Sequence, residues 1–142
     1  MPRVERHALL KAPPEAVWAA LVDPARRARW LASMREEQSP APLAVGTRVT
    51  SRRTAPGSRS TYVSTVKRLD PPRRMEMDVA RNGEHVATGG YALAATPEGT
   101  RVTAYGEFEL KGLQRMMTPI VAAGMEKELE ADLAGLKRHL EV

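Results

Sequence analysis

The 142 residues are 42% hydrophobic and 27% charged and include no cysteine, which fits one domain over 1–142 with its own core and excludes disulfides, thiolate metal sites and cysteine nucleophiles. No run approaches the ~18 apolar residues of a membrane span, and Arg3, Glu5, Arg6, Lys11 and Glu15 occupy the stretch where a secretory signal would be apolar, so a soluble, cytoplasmic protein is expected. The net charge of +5 is lopsided: residues 1–80 carry 15 basic and 8 acidic side chains, residues 81–142 carry 7 and 9.

Residues 3–11 have strand character, with Val4, Arg6, Ala8 and Leu10 sharing one side by the period-two rule. Ala12-Pro13-Pro14-Glu15 ends that strand and opens a helix through Val17, Trp18, Leu21 and Val22. Asp23-Pro24 then caps a second short helix that reaches about Leu31. Two prolines and a glycine mark 38–46 as loop. Strands follow at Thr47–Arg53 and Ser60–Leu69, separated by a turn at Ala55-Pro56-Gly57-Ser58. After Asp70-Pro71-Pro72, the residues Met75, Met77 and Val79 alternate with Glu76 and Asp78, and Asn82-Gly83 signals a tight hairpin. His85–Thr96 and Gly99–Leu110 pair across the next turn.

From Gly112 to Glu141 apolar residues recur at three- and four-residue steps, from Leu113, Met116 and Met117 to Leu133, Leu136 and Leu140. That period marks one long amphipathic helix, with a bend or late start at Pro119. The antiparallel strands need a cover for their apolar face, and this helix carries the only stripe long enough. The fold class is therefore α+β, a sheet closed by its terminal helix.

Six segments in this order, Ala12-Pro13-Pro14-Glu15-Ala16-Val17-Trp18, Asp23-Pro24…Trp30, Gly46-Thr47, Leu69-Asp70-Pro71-Pro72-Arg73, Gly99-Thr100-Arg101-Val102-Thr103 and Asp132-Leu133…Leu136-Lys137…Leu140-Glu141, span nearly the whole chain. The chain resembles the polyketide cyclase/dehydrase-like branch of the START / birch-pollen-allergen superfamily. The resemblance implies a helix-grip fold: a curved antiparallel sheet of about seven strands wrapped around a long C-terminal helix over a hydrophobic cavity. It spans cyclases, lipid carriers, receptors and toxin-like proteins, so it leaves the reaction open.

A cavity of that kind needs apolar walls and a few placed polar groups. Alternation puts Tyr62, Met75, Met77, Tyr91 and Phe108 on the inner face, with Trp30 and Met34 closing one end and Met116, Met117 and Ile120 of the terminal helix facing them. Arg6 and His85 share that face by parity and are the candidate acid/base or oxyanion-binding groups for a cyclase or dehydratase. A bulge or a one-residue slip would turn either outward. His7, His85 and His139 share no ligand spacing with carboxylates, so no metal is expected, and no nucleotide or other cofactor motif is present. His139 reads as a cation at the negative end of the helix. Glu126, Glu128, Glu130 and Asp132 read as its solvated flank, and Arg26, Arg27, Arg29, Arg48, Arg52 and Arg53 as solvated surface. The expected partner is a small hydrophobic or aromatic ligand. The three Tyr, two Trp and one Phe are too few for base stacking and argue against nucleic acid. Contact with a membrane surface, a regulatory or toxin-like role for the basic half, and a monomer or homodimer stay open.

Overall fold

A computed structural model of the chain describes residues 2–37, 41–54 and 60–141. The turn expected at Ala55-Pro56-Gly57-Ser58 and the beginning of the 38–46 loop lie outside them. The elements are β1 (Arg3–Leu10), α1 (Pro14–Val22), α2 (Pro24–Trp30), β2 (Met34–Glu36), β3 (Arg48–Arg53), β4 (Thr61–Asp70), β5 (Arg74–Arg81), β6 (Glu84–Thr96), β7 (Gly99–Phe108), a short 3-10 helix (Gly112–Met117) and α3 (Thr118–Leu140). The strands form one curled antiparallel sheet in the order β1-β7-β6-β5-β4-β3-β2. The three-residue β2, which pairs Met34 with Arg53, is too short for alternation to reveal.

Local chemistry accounts for the boundaries. Pro14 and Pro24 occupy first-turn positions, and the Asp23 carboxylate accepts the Ala25 N–H at 3.0 Å, capping α2. Asn82 and Gly83 both take positive φ, 53° and 80°, as a two-residue hairpin between β5 and β6 requires.

Leu10, Val17, Leu21, Trp30, Met75, Val102, Leu133 and Leu136 form the core, with Tyr91 edge-to-face on Trp30 at 6.0 Å between centroids. The second half of α3 is fixed to the segment that follows α2. Asp132, buried, accepts the N–H groups of Ala32 (2.9 Å) and Ser33 (2.8 Å) and the Ser33 hydroxyl (2.8 Å). One turn on, Gly135 lies under the Trp30 carbonyl, where a Cβ would come within 2.1 Å of the oxygen.

Arg27, expected at the surface, is only 4% exposed. It donates to both Glu36 oxygens at 2.8 and 2.9 Å and to the Leu21 carbonyl at 2.9 Å, tying α2 to β2. On the outer face of the sheet, alternation predicts a fully wet Tyr105, yet the ring is buried with the guanidinium carbons of Arg3 (4.2 Å) and Arg74 (5.4 Å) against it. Its hydroxyl donates to Glu76.

A buried ion pair of this geometry is costly to break from one side, because the partner charge is left without compensation. Arg27→Met should lower the unfolding free energy by about 3–5 kcal/mol, whereas Arg27→Met with Glu36→Leu should recover most of the loss. Chemical denaturation of the two variants reads this directly; equal losses would contradict it.

Candidate functional site

Between the sheet and the first half of α3 lies a cleft of about 760 Å³. Strands supply Arg53, Tyr62, Ala87 and Phe108, α3 supplies Val121, Gly124, Met125 and Glu128, and Gln114 comes from the 3-10 helix. The β5–β6 hairpin contributes Arg81, Glu84, His85 and Val86 to the mouth, opposite Glu109 and Lys111. Met125 rests on Gly106, where a Cβ would come within 2.6 Å of its Sδ, so this glycine sets how closely the helix approaches the sheet at the cleft. A second depression, about 360 Å³ between His7, Leu9, Thr96 and Arg101, is a dish at the outer edge of the sheet.

The polar centre of the cleft is a pair that the sequence analysis assigned to solvent. Arg53 follows Val49 and Ser51 on the inward parity of β3, and its Nη1–H reaches Glu128 Oε1 at 3.1 Å. The Arg53 guanidinium carbon lies 5.2 Å from the Tyr62 ring centroid. Its Nε is buried with no hydrogen-bond partner among the described residues. Burial raises the Glu128 carboxyl pKa above the ordinary range; Arg53 opposes the rise and the Asp132 charge adds to it. Extending the alternation of Val49 and Ser51 by one step would have found Arg53. Glu128 shares the helix face of Val121 and Met125, a signal hidden by reading charges along the chain instead of around the helix.

The expected site residues separate into three groups. Tyr62 and Phe108 line the cleft. Trp30, Met75, Met77 and Tyr91 are buried in the closed core beside it, and burial raises the Tyr91 hydroxyl pKa well beyond its usual value. Met34 is half-buried on the edge strand β2. Met116, Met117 and Ile120, placed inside by periodicity, are instead exposed at 80%, 47% and 63%. Met116 and Met117 lie in the 3-10 helix, which turns about 120° per residue instead of 100° and breaks the phase of the stripe, whereas Ile120 is already in α3, where about 100° per residue puts it roughly opposite Leu133 and Leu136.

Arg6 is not among the residues that line the cleft, and His85 touches it only from the hairpin at the mouth. Arg6 faces the helix and is held by Glu130 at 2.7 Å and by Glu126, on the exposed flank where those two carboxylates were expected. A bulge between Val79 and Ala80 pairs Ala87 with Val79 but His85 with Ala80, leaving Val86 unpaired and reversing the parity of His85. The His85 ring is exposed beside Thr88 (3.0 Å) and Asp78 (3.6 Å). His139 accepts the Arg26 Nε–H at 3.1 Å. Burial, with the charges of Arg26 and Arg29, lowers its pKa, so it is a neutral acceptor instead of the expected cation. Among the described residues no group of His, Asp and Glu is arranged to hold a metal ion, and no helix is long and apolar enough to cross a membrane.

A sheet wrapped around a helix that covers only part of it defines the helix-grip class. The chain matches the family described as "Polyketide cyclase / dehydrase and lipid transport" over residues 1–141, and it belongs to that family. No curated protein matches it in sequence. Among solved structures, protein CV1439 from Chromobacterium violaceum is similar at 20% identity and a TM-score of 0.79, with 100% of this chain and 99% of that one covered. The AHSA1-like protein from Aeromonas hydrophila is similar at 23% identity and a TM-score of 0.72, covering 99% and 92%. DynU16, a protein of the dynemicin biosynthetic locus, is similar at 22% identity and a TM-score of 0.69, covering 99% of this chain and 47% of that one.

Because the folded-state pKa of Glu128 is raised, ionising it costs more in the folded chain than in the unfolded one, where a glutamate titrates near ~4.3. The stability it permits is complete below that value and declines as pH rises through the folded pKa. Glu128→Gln should therefore gain melting temperature relative to the parent between about pH 4 and pH 7. A difference that stays constant with pH would contradict the burial argument.

Proposed function

We propose that the chain binds a small hydrophobic or aromatic ligand, lipid- or polyketide-like, in the cleft between the sheet and the first half of α3. The observation that carries this reading is a space of about 760 Å³ with an apolar floor of Tyr62, Ala87, Phe108, Val121 and Met125 and one ion pair, Arg53–Glu128, at its centre. That size is typical of small-molecule sites, which occupy roughly 300–1,000 Å³. The family's description names both cyclase/dehydrase chemistry and lipid transport, and both begin with an apolar ligand in such a cleft.

The position of Glu128 favours a second reading within the same cleft, proton transfer during cyclisation or dehydration. A half-buried carboxylate of raised pKa beside a guanidinium is better suited to that work than Arg6 or His85. A role based on the basic half of the chain has less support. Arg3, Arg6, Arg27, Arg53, Arg73 and Arg74 are each within ion-pair distance of a carboxylate, which lowers the field available to a polyanion.

Ala87 lies on the floor of the cleft, and Ala87→Trp should obstruct it. Native mass spectrometry of the protein purified from its own host should show a stoichiometric apolar adduct that the Ala87→Trp variant has lost. An equal adduct on both proteins would place the ligand elsewhere.

A further inference from the structure

Three inward-facing arginines meet carboxylates, and they differ in how fully they are satisfied. Arg27 is closed by a two-point contact with Glu36 and a backbone carbonyl. Arg6 is held by two glutamates of α3. Arg53 has a single-point contact of 3.1 Å with Glu128, and its buried Nε has no partner among the described residues. A guanidinium offers five N–H donors in a planar fork whose natural complement is a carboxylate seen edge-on. Arg53 therefore carries an incomplete fork on the wall of the cleft, its guanidinium against the Tyr62 ring and its unpartnered Nε covered in this arrangement.

Resting on the ligand-binding reading above, we infer that the cleft takes a hydrophobic acid whose carboxylate is held by Arg53, with Glu128 released from the guanidinium and protonated from solvent. The tail lies along Phe108, Val121 and Met125, and the carboxylate takes the place of Glu128 at the guanidinium, reaching Nε and one Nη once Glu128 has moved away. Bonds and charges balance. The ligand enters as an anion, one solvent proton goes to a Glu128 carboxylate oxygen, and the site stays neutral overall. Burial already disposes Glu128 toward that proton.

The other charged or titratable groups around Glu128 are Tyr62 on β4, Arg81, Glu84 and His85 at the hairpin, Glu109 and Lys111 at the mouth, and Asp132 one turn along α3. The mouth carries Arg81 and Lys111 together with Glu84 and Glu109. Arg53 is the cation on the strand wall facing α3, and the preference for an acid rests on it. A neutral ligand of the same shape would leave the Arg53–Glu128 pair unchanged and its Nε still without a partner.

The test compares pyrenebutyrate with pyrenebutanol, which share a tail and differ in the head group, by fluorescence titration of the whole chain. The acid should bind about tenfold more tightly or better. Its affinity should rise from about pH 8 to pH 6, and calorimetry in two buffers of different ionisation enthalpy should show close to one proton taken up. Arg53→Met should bring the two affinities together. Glu128→Gln should bind the acid at least as tightly as the parent, without proton uptake. Equal affinities in the parent protein, which need no variant to fold, would overturn this inference and leave the ligand-binding reading standing. A preference that survives Arg53→Met would overturn it as well. If neither probe binds, the ligand-binding reading fails and this inference goes with it.

Discussion

Asp132 determines where the long helix lies. A carboxylate taken out of water is stable only when its oxygens accept hydrogen bonds, and here three donors come from the two residues that follow Leu31. The consequence is positional. The helix is fixed at Asp132 and again one turn later, where Gly135 admits the Trp30 carbonyl. Leu133 and Leu136 are then carried into the core against Trp30. N-terminal to that anchor α3 meets the sheet through Met125 on Gly106, Glu126 and Glu130 on Arg6, and Glu128 on Arg53, and the space beside these contacts is the cleft.

The sheet is accordingly used in two ways. Toward α1 and α2 its inner face is buried: Trp30, Tyr91, Met75 and Leu93 belong to the core, and Arg27 with Glu36 locks the edge. Toward the β5–β6 hairpin the same face carries Ala87, Gly106 and Phe108, smaller on average, and the helix contributes Gly124 and Met125. The methionines follow this division. Met75 and Met77 fill the closed half, and Met125 alone lines the cleft. Flexible thioethers suit both tasks, which is why their abundance could not distinguish a solid interior from an open one.

The architecture was legible in the sequence because it rests on periodicity and punctuation. Proline pairs, Asn82-Gly83 and the change from period two to period 3.6 after Leu110 are local signals, and the structure follows them. The candidate site was less legible, and the reasons are specific. Parity carries only until a bulge, so His85 was placed on the wrong face once Val86 dropped out of the pairing. Helical phase carries only while the helix is α, so the 3-10 turn takes Met116 and Met117 out of the stripe, and Ile120 lies on the face of α3 opposite Leu133 and Leu136. Charge was read as solvation, which failed for Arg27, Arg53, Glu128 and Asp132, because each finds a partner distant in sequence that composition does not reveal.

The anchor at Asp132 and the cleft around Arg53 occupy opposite halves of one helix and share few side chains. Substitutions in well-separated places act nearly independently on stability, so Ala87, Val121 and Met125 can change the shape of the cleft while Asp132, Gly135 and Arg27 keep the fold intact; Glu128, one turn from Asp132 and coupled to its charge, is the exception. Such a molecule can vary its cleft without varying its frame. That is a physical route by which structures only 20–23% identical to this one retain its shape from end to end.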